Sequence, residues 1–282
     1  MHRTELGSRF PFVALAAGLV ACAGTERPAE QASAPASPPV VQITATDYAF
    51  QMPDTIPAGV TTFRLANTSG SEFHHVVLIR LPDGMSMQDF LGRMSPGSPP
   101  PPDAVFLGGP NPAEPSGDAE ATVDLPAGGY AVVCVIPSPD GTPHVAKGMA
   151  RPLTVVAGTS SAALPTPDVT VTLTDYDFQF SAPLTPGRHV IRIQNAADQP
   201  HELVFFKLNP GKTVEDMARY AEKPEGPPPG SAIDGVSPLS KGKGATVVVT
   251  LEAGDYGLIC FIPDAAGKPH LVLGMMKQVK VS

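Results

Sequence analysis

Two short stretches of the chain place cysteine, histidine and methionine at one and the same spacing. They are Cys134, His144 and Met149 in the first stretch and Cys260, His270 and Met275 in the second. In both, nine residues separate the cysteine from the histidine and four separate the histidine from the methionine. Thiolate, imidazole and thioether together form a donor set that few metals other than copper select.

Another histidine lies far upstream of each stretch, at the start of an apolar segment. It is His74 in the first half of the chain and His201 in the second. Two imidazoles and one thiolate can form a trigonal set, and a thioether can add a weak axial ligand, which is the arrangement of a type 1 copper site. The residues therefore predict one copper ion in each half.

The two halves are copies of one unit. Thr46-Asp47-Tyr48 recurs as Thr174-Asp175-Tyr176, and Gly59–Asn67 recurs as Gly187–Asn195. The offset falls from 128 residues to 127 and then 126 along the chain, which two single-residue deletions explain. Self-similarity at a fixed offset indicates repeated structural units. We expect one domain over residues 39–157 and another over residues 168–282, joined by a linker at 158–167.

Each copy has the composition of a β-protein. The chain holds 34 prolines and 27 glycines, which suit many short strands and turns. Segments rich in β-branched residues alternate with these turns. One short helix is expected in each copy, beginning near Ser86 and Thr213, which stand at possible N-caps. The predicted fold class is all-β, with two tandem Greek-key β-sandwiches that each carry one short helix.

The ligand stretches resemble those of the cupredoxins, the blue copper proteins. Gly-x-Tyr-x-x-x-Cys-x-Ile-Pro followed by His-x-x-x-Gly-Met occurs in both copies and is similar to the ligand loop of rusticyanin-like cupredoxins. The resemblance covers nearly all of residues 39–282. It implies a cupredoxin fold, one type 1-like copper per domain and one-electron transfer. The ligands that it implies are His74, Cys134, His144, Met149, His201, Cys260, His270 and Met275.

The loop between cysteine and histidine is longer here than the two to four residues usual in that family. The extra segment contains Asp140-Gly141, a strong signal for a tight turn. Such a turn either returns His144 to the metal or points it away and leaves no site. The sequence leaves both outcomes open.

The number of histidines argues against further copper centres. Seven are present. His2 lies in the expected signal peptide at the amino terminus, and four others are the expected ligands. Only His75 and His189 remain, and apolar residues flank both cysteines. We therefore expect no enzymatic activity. A copper storage or delivery protein, or a metal-free cupredoxin-like interaction module, stays open as an alternative.

The amino terminus has the layout of a secretory signal. A charged start precedes an apolar run, and Leu19-Val20-Ala21-Cys22 resembles a bacterial lipobox. That resemblance implies a signal peptide over residues 1–21, lipid attachment at Cys22 and a flexible tether over residues 22–38. The mature protein would be exported and lipid-anchored to the cell envelope, at a periplasm-facing membrane or at the cell surface.

The charge balance narrows the class of partner. The formal net charge is −8 and no basic patch stands out, so nucleic acid is not expected as a partner. The expected partner is an unidentified redox protein or copper chaperone.

Overall fold

A computed structural model describes residues 1, 2, 7, 11, 36–94, 101–158 and 162–282 of the chain. Cys22, nearly all of the expected signal peptide and most of the tether lie outside the described residues. Pro35–Ser282 forms one compact unit. The prediction of a predominantly β chain is confirmed, and the described part contains two short α-helices.

In the first half, the described residues form nine strands and one α-helix. They are β1 (Val40–Thr46), β2 (Ala49–Gln51), β3 (Thr55–Pro57), β4 (Gly59–Asn67), β5 (Val77–Arg80), α1 (Met87–Gly92), β6 (Val105–Phe106), β7 (Asp118–Leu125), β8 (Gly128–Val133) and β9 (Ala150–Val156).

Eight strands and one helix make up the second half. They are β10 (Val169–Thr174), β11 (Asp177–Phe180), β12 (Gly187–Asn195), β13 (His201–Leu208), α2 (Val214–Glu222), β14 (Gly230–Leu239), β15 (Gly244–Leu251), β16 (Gly254–Ile259) and β17 (Met276–Val281).

The strands form because their apolar residues alternate with polar ones. In β10 the side chains of Val169, Val171 and Leu173 are buried, and the threonines between them are half-exposed. This period of two is the pattern of a strand with one face on the core. The apolar faces of both halves contribute to one buried cluster, which contains Cys134, Cys260, Met149 and Met275.

Both helices begin at the expected capping residues. Ser86 Oγ accepts the backbone N–H of Asp89, and Thr213 forms a reciprocal capping box with Asp216. A side-chain acceptor at this position satisfies backbone donors that have no partner in the first helical turn.

The strands of the described residues form three sheets. One has eight strands in the order β11-β10-β12-β15-β7-β4-β1-β2 and draws on both halves. The first half adds a five-stranded sheet, β3-β9-β8-β5-β6, and the second a four-stranded sheet, β14-β13-β16-β17. The first strand of each half pairs in parallel with β4 or β12.

In the described part of the chain, backbone contacts join the two halves in two regions. β7 and β15 pair in antiparallel fashion through Val123 with Ala245 and Thr122 with Thr246. The segment after β6 pairs with β14, and the N–H of Gly108 donates to the carbonyl of Pro238 at 2.9 Å. The sequence did not predict this shared sheet, and the boundaries at 157 and 168 stay a prediction.

Within residues 36–94, 101–158 and 162–282, no helix combines the length and the apolar character needed to span a bilayer.

Adjacent residues of β4 provide a test of the core assignment. Leu65 is fully buried, whereas Arg64 is exposed and forms an ion pair with Glu120 at 2.6 Å. Leu65→Ala should lower the free energy of unfolding by about 2–5 kcal/mol, because it leaves a cavity in the core. Arg64→Ala should lower it by about 1 kcal/mol or less, because exposed ion pairs contribute little. Urea unfolding measures both, and equal losses would contradict the assignment.

Candidate metal centres

The same structural positions carry the expected ligands in both halves. Each cysteine directly follows a strand, Cys134 after β8 and Cys260 after β16. Each downstream histidine opens a 3-10 turn, and each methionine directly precedes the next strand. The upstream histidine lies between β4 and β5 in the first half and begins β13 in the second. The repeat thus places the four residues of each set alike.

The first half brings two histidines and one cysteine together in a buried cluster. Nδ1 of His74 and Nδ1 of His144 are 3.2 Å apart. Sγ of Cys134 is 3.4 Å from His144 Nδ1 and 3.9 Å from His74 Nδ1. All three side chains are fully buried.

The second half repeats this geometry closely. Nδ1 of His201 and Nδ1 of His270 are 2.9 Å apart. Sγ of Cys260 is 3.4 Å from His270 Nδ1 and 4.0 Å from His201 Nδ1. In both clusters all donor atoms lie within 4.8 Å of one another.

Backbone hydrogen bonds hold each methionine beside its cluster. The N–H of Met149 donates to the carbonyl of His144 at 2.9 Å, and the N–H of Cys134 donates to the carbonyl of Met149 at 3.2 Å. Gly148 has a φ of 105°, a left-handed conformation that favours glycine and reverses the chain between histidine and methionine. Met275 is bonded in the same way to His270 and Cys260. Both methionines are fully buried.

The long loop between cysteine and histidine folds out as a small turn and returns. Pro137 and Pro143 form a β-bridge, and Gly141 sits at the tip with a φ of 79°. The N–H of His144 then donates to the carbonyl of Ile136 at 3.0 Å, which brings the imidazole to the cluster. The second half has the same bridge between Pro263 and Pro269 and the same return from His270 to Ile262. Of the two outcomes that the sequence left open, the structure shows the histidine returned to the cluster.

The donor spacing fits a single metal ion in each cluster. Imidazole nitrogen and thiolate sulfur bind transition metals at about 2.0–2.3 Å, so three donors around one ion stand about 3–4 Å apart. The observed separations of 2.9–4.0 Å lie in that range. A thiolate with two imidazoles selects copper or another soft to borderline transition metal.

Burial keeps these groups uncharged when no metal is bound. It raises the pKa of the Cys134 thiol to about 12. The backbone N–H groups of His75 and Ile136 stabilise the thiolate and so oppose this rise. Burial also raises the pKa of the Cys260 thiol. For His74 and His270, burial together with repulsion from the neighbouring imidazole lowers the pKa to about 4. A metal ion must therefore displace the thiol proton, which makes binding depend on pH.

The second half has a carboxylate behind its upstream histidine. Oδ1 of Asp175 lies 3.1 Å from Nε2 of His201, in hydrogen-bond contact. Such a partner fixes the tautomer and presents Nδ1 to a metal. Among the described residues, Nε2 of His74 and Nε2 of His270 have no hydrogen-bond partner.

The first half places its carboxylate behind the other histidine. Glu72 Oε2 lies 3.5 Å from Nε2 of His144, a separation at which the contact is electrostatic rather than a good hydrogen bond. Tyr48 contacts Glu72 Oε1 at 3.2 Å and packs edge-on against the His144 ring. The counterpart of Glu72 in the repeat is the uncharged Gln199, so the clusters share their donor residues but differ in surrounding charge.

Sequence reasoning missed these supporting residues. Asp175 and Tyr48 belong to the repeated Thr-Asp-Tyr motif, which was the signal available for them. Tyr48 and Tyr176 adopt φ values of 60° and 66°, which are uncommon for residues other than glycine. The same conformation occurs in both halves. It places the ring of Tyr48 against His144 and the ring of Tyr176 against His270.

Comparisons with known proteins yield structural matches only. No family profile and no curated protein matches the chain. Auracyanin A, a "blue" copper protein from Chloroflexus aurantiacus, covers 43% of this chain and 100% of its own length, at 21% identity and a TM-score of 0.31. These values do not assign the chain to a family. The two His–Cys–His groups themselves fit the donor set of a cupredoxin.

Two longer matches are enzymes. A multicopper oxidase covers 86% of this chain and 88% of its own, at 14% identity and a TM-score of 0.26. A copper-containing nitrite reductase from Thermus scotoductus covers 86% and 61%, at 10% identity and a TM-score of 0.25. The expectation that the chain is not an enzyme is contradicted by these two matches. The histidine count bears only on additional copper centres and does not exclude enzymatic activity.

The lowered histidine pKa values predict how stability depends on pH. In the folded metal-free protein the pKa is about 4 for His74 and about 3 for His75, against about 6.5 in the unfolded chain. The unfolded state then binds more protons, so the free energy of unfolding should fall as pH drops from about 6.5 towards 4. His74→Phe should reduce this slope by up to about 1.4 kcal/mol per pH unit. Urea unfolding at stepped pH measures it, and rising stability on acidification would contradict the assignment.

Proposed function

We propose that each half of this chain binds one copper ion in a type 1-like site and that the protein transfers single electrons. One observation carries the proposal: each half holds a fully buried His–Cys–His group whose donor atoms lie within 4.8 Å of one another. A trigonal set of two imidazoles and one thiolate is the donor arrangement of electron-transfer copper sites.

Each residue of a set has a distinct role in this proposal. The cysteine and the two histidines would hold copper, namely Cys134 with His74 and His144, and Cys260 with His201 and His270. Met149 and Met275 would supply weak thioether donors that tune the reduction potential. Copper, when bound, supplies the one-electron chemistry.

The rigidity of the surroundings suits electron transfer. The ligands come from strand ends and from a loop closed by backbone hydrogen bonds, so their donor atoms already converge before a metal binds. Packed interiors resist rearrangement. A site that moves little between the two oxidation states of copper exchanges electrons rapidly, and this favours electron transfer over storage.

We extend the proposal to the organisation and location of the protein. Two tandem cupredoxin-like Greek-key domains, over residues 39–157 and 168–282, would each carry one site. The lipobox-like sequence before Cys22 supports a lipid anchor on the cell envelope, facing the periplasm or the exterior. The partner would be a redox protein or a copper chaperone.

Titration of the protein with Cu(II) tests the function. An intense thiolate-to-copper absorption band near about 600 nm is expected from a trigonal His₂Cys site. Cys134→Ser and Cys260→Ser should each remove about half of the band and one equivalent of copper, because each removes the only thiolate of its group.

The other results of that titration are also informative. A colourless protein that binds Cu(I) alone would contradict electron transfer and support storage or delivery. Binding of neither oxidation state would contradict copper binding altogether and leave a metal-free module.

The carboxylate behind His201 gives a second prediction. Asp175→Asn should lower the copper affinity of the second half by about 10–100-fold, because the carboxylate orients His201 and raises its basicity. Asp47→Asn is the matched control, since Nε2 of His74 has no hydrogen-bond partner among the described residues. Competition with a copper chelator measures each half in a chain whose other cysteine is serine. Equal losses in both variants would contradict the role of Asp175.

The proposed lipid anchor is tested at Cys22. The protein produced with its leader in a bacterial host should partition with membranes and carry acyl chains detectable by mass spectrometry. Cys22→Ser should abolish acylation and release the protein into the soluble fraction. An unmodified, soluble wild-type protein would contradict the anchor.

A further inference from the structure

The residue after the upstream histidine differs between the two halves. It is His75 in the first half and Glu202 in the second, and both are buried, with relative exposures of 4% and 5%. Buried polar side chains are normally hydrogen-bonded, and a buried group that loses its partner is costly. The partners of these two side chains lead from one metal centre to the other.

In the first half, His75 accepts a hydrogen bond from the peptide that follows Cys134. The N–H of Val135 donates to Nε2 of His75 at 2.9 Å. Nε2 therefore carries no proton, and the neutral imidazole has its proton on Nδ1. Nδ1 lies 3.2 Å from Oδ1 of Asn111 and donates to it.

In the second half, Glu202 makes the corresponding contact. The N–H of Phe261, the residue after Cys260, donates to Oε1 of Glu202 at 3.0 Å. The backbone N–H of Glu202 also lies 3.5 Å from the sulfur of Cys260. Glu202 thus holds the cysteine and the following peptide at once.

Asn111 joins the two ends. Its Nδ2 donates to Oε2 of Glu202 at 3.0 Å, while its Oδ1 accepts from His75. Four hydrogen bonds therefore run without interruption from the Val135 peptide to the Phe261 peptide. Asn111 is itself buried, with a relative exposure of 3%. It directly follows the segment after β6 that pairs with β14 of the other half.

The chain of bonds has a fixed direction. Val135 N–H can only donate, which sets the tautomer of His75 and in turn the orientation of the Asn111 amide. The amide then offers a donor to Glu202, which must accept. Each member depends on the state of the next, and such dependence makes buried networks cooperative.

We propose that Asn111 is a positioning residue that couples the two ligand loops, so that a change beside one cysteine alters the order and the copper affinity beside the other. The copper part of this proposal rests on the proposed function. Fixing one loop fixes one end of the chain of bonds, and through Asn111 this helps to hold the other end. Coupling of this kind is reciprocal.

Glu202→Gln tests the coupling with little change in shape. The glutamine must accept from Phe261 and would then present an NH₂ group to the NH₂ group of Asn111. Turning the Asn111 amide over would set its NH₂ against Nδ1–H of His75, so no orientation satisfies every member. The conflict should therefore reach Val135 in the other half.

Amide hydrogen exchange of the metal-free full chain reads this out. Glu202→Gln should speed exchange by about fivefold or more at Phe261 and also at Val135. Adding Glu202→Gln to Asn111→Leu should give no further change at Val135, because the connection is already cut. The amides of Cys134 and Cys260, bonded to methionine carbonyls, serve as internal references.

Thr122→Val is the matched control variant. It removes a buried hydrogen bond to Thr62 next to the β7–β15 contact. The four hydrogen bonds between the Val135 and Phe261 peptides are unchanged. Exchange at Val135 should stay as in the wild type. The proposal would be overturned if Glu202→Gln speeds exchange at Phe261 but not at Val135. It would also be overturned if Thr122→Val speeds exchange at Val135 as much as Glu202→Gln does. Because Glu202→Gln removes little volume, the test does not depend on Asn111→Leu folding well.

Copper affinity provides the second readout. In a chain with Cys260→Ser only the first half binds copper, and Glu202→Gln should weaken that binding by about fivefold or more, the usual lower range of coupling between sites. Unchanged affinity would overturn the copper part of the proposal. Failure of the Cys260→Ser chain to bind any copper would contradict the proposed function instead, and the exchange result would still decide the coupling of the loops.

Discussion

Everything in this molecule depends on holding two imidazoles against a thiol inside an apolar core. Polar groups buried without partners are costly, and burial keeps these three uncharged. The fold meets this constraint twice, with strand ends, a 3-10 turn and a left-handed glycine such as Gly148. Because the donor atoms converge through the backbone, the geometry is set by the fold rather than by a ligand. A soft cation is the partner that would offset the cost of burying the donors.

The two clusters share donors but not surroundings. Asp175 contacts the upstream histidine, His201, in the second half, whereas in the first half Glu72 lies behind the downstream histidine, His144. Groups that contact metal ligands tune basicity and potential. The repeat has therefore kept the geometry of the His–Cys–His cluster while the charges around it diverged. The shared sheet and the Asn111 contact place both clusters in one compact unit.

The sequence was informative where contacts are local or repeated. Equal spacing of cysteine and histidine in the two copies predicted two of the three side chains that converge in each cluster, and Thr213 predicted its helix start. It could not reveal that β4 pairs in parallel with β1, because alternation is the same in either direction. Asn111 was missed because its partners, His75 and Glu202, are 36 and 91 residues away along the chain. Such long-range polar contacts leave no periodic signal.

X-ray absorption at the copper edge of the loaded full chain tests the central claim most directly, because it reports the ligand atoms themselves. The account predicts one sulfur and two imidazole nitrogens around each copper at about 2.0–2.3 Å, the bond lengths usual for thiolate and imidazole ligands. In Cys134→Ser the sulfur signal should persist from the second half alone. Copper surrounded only by nitrogen and oxygen, with no short sulfur bond, would contradict the claim that these buried groups are copper sites.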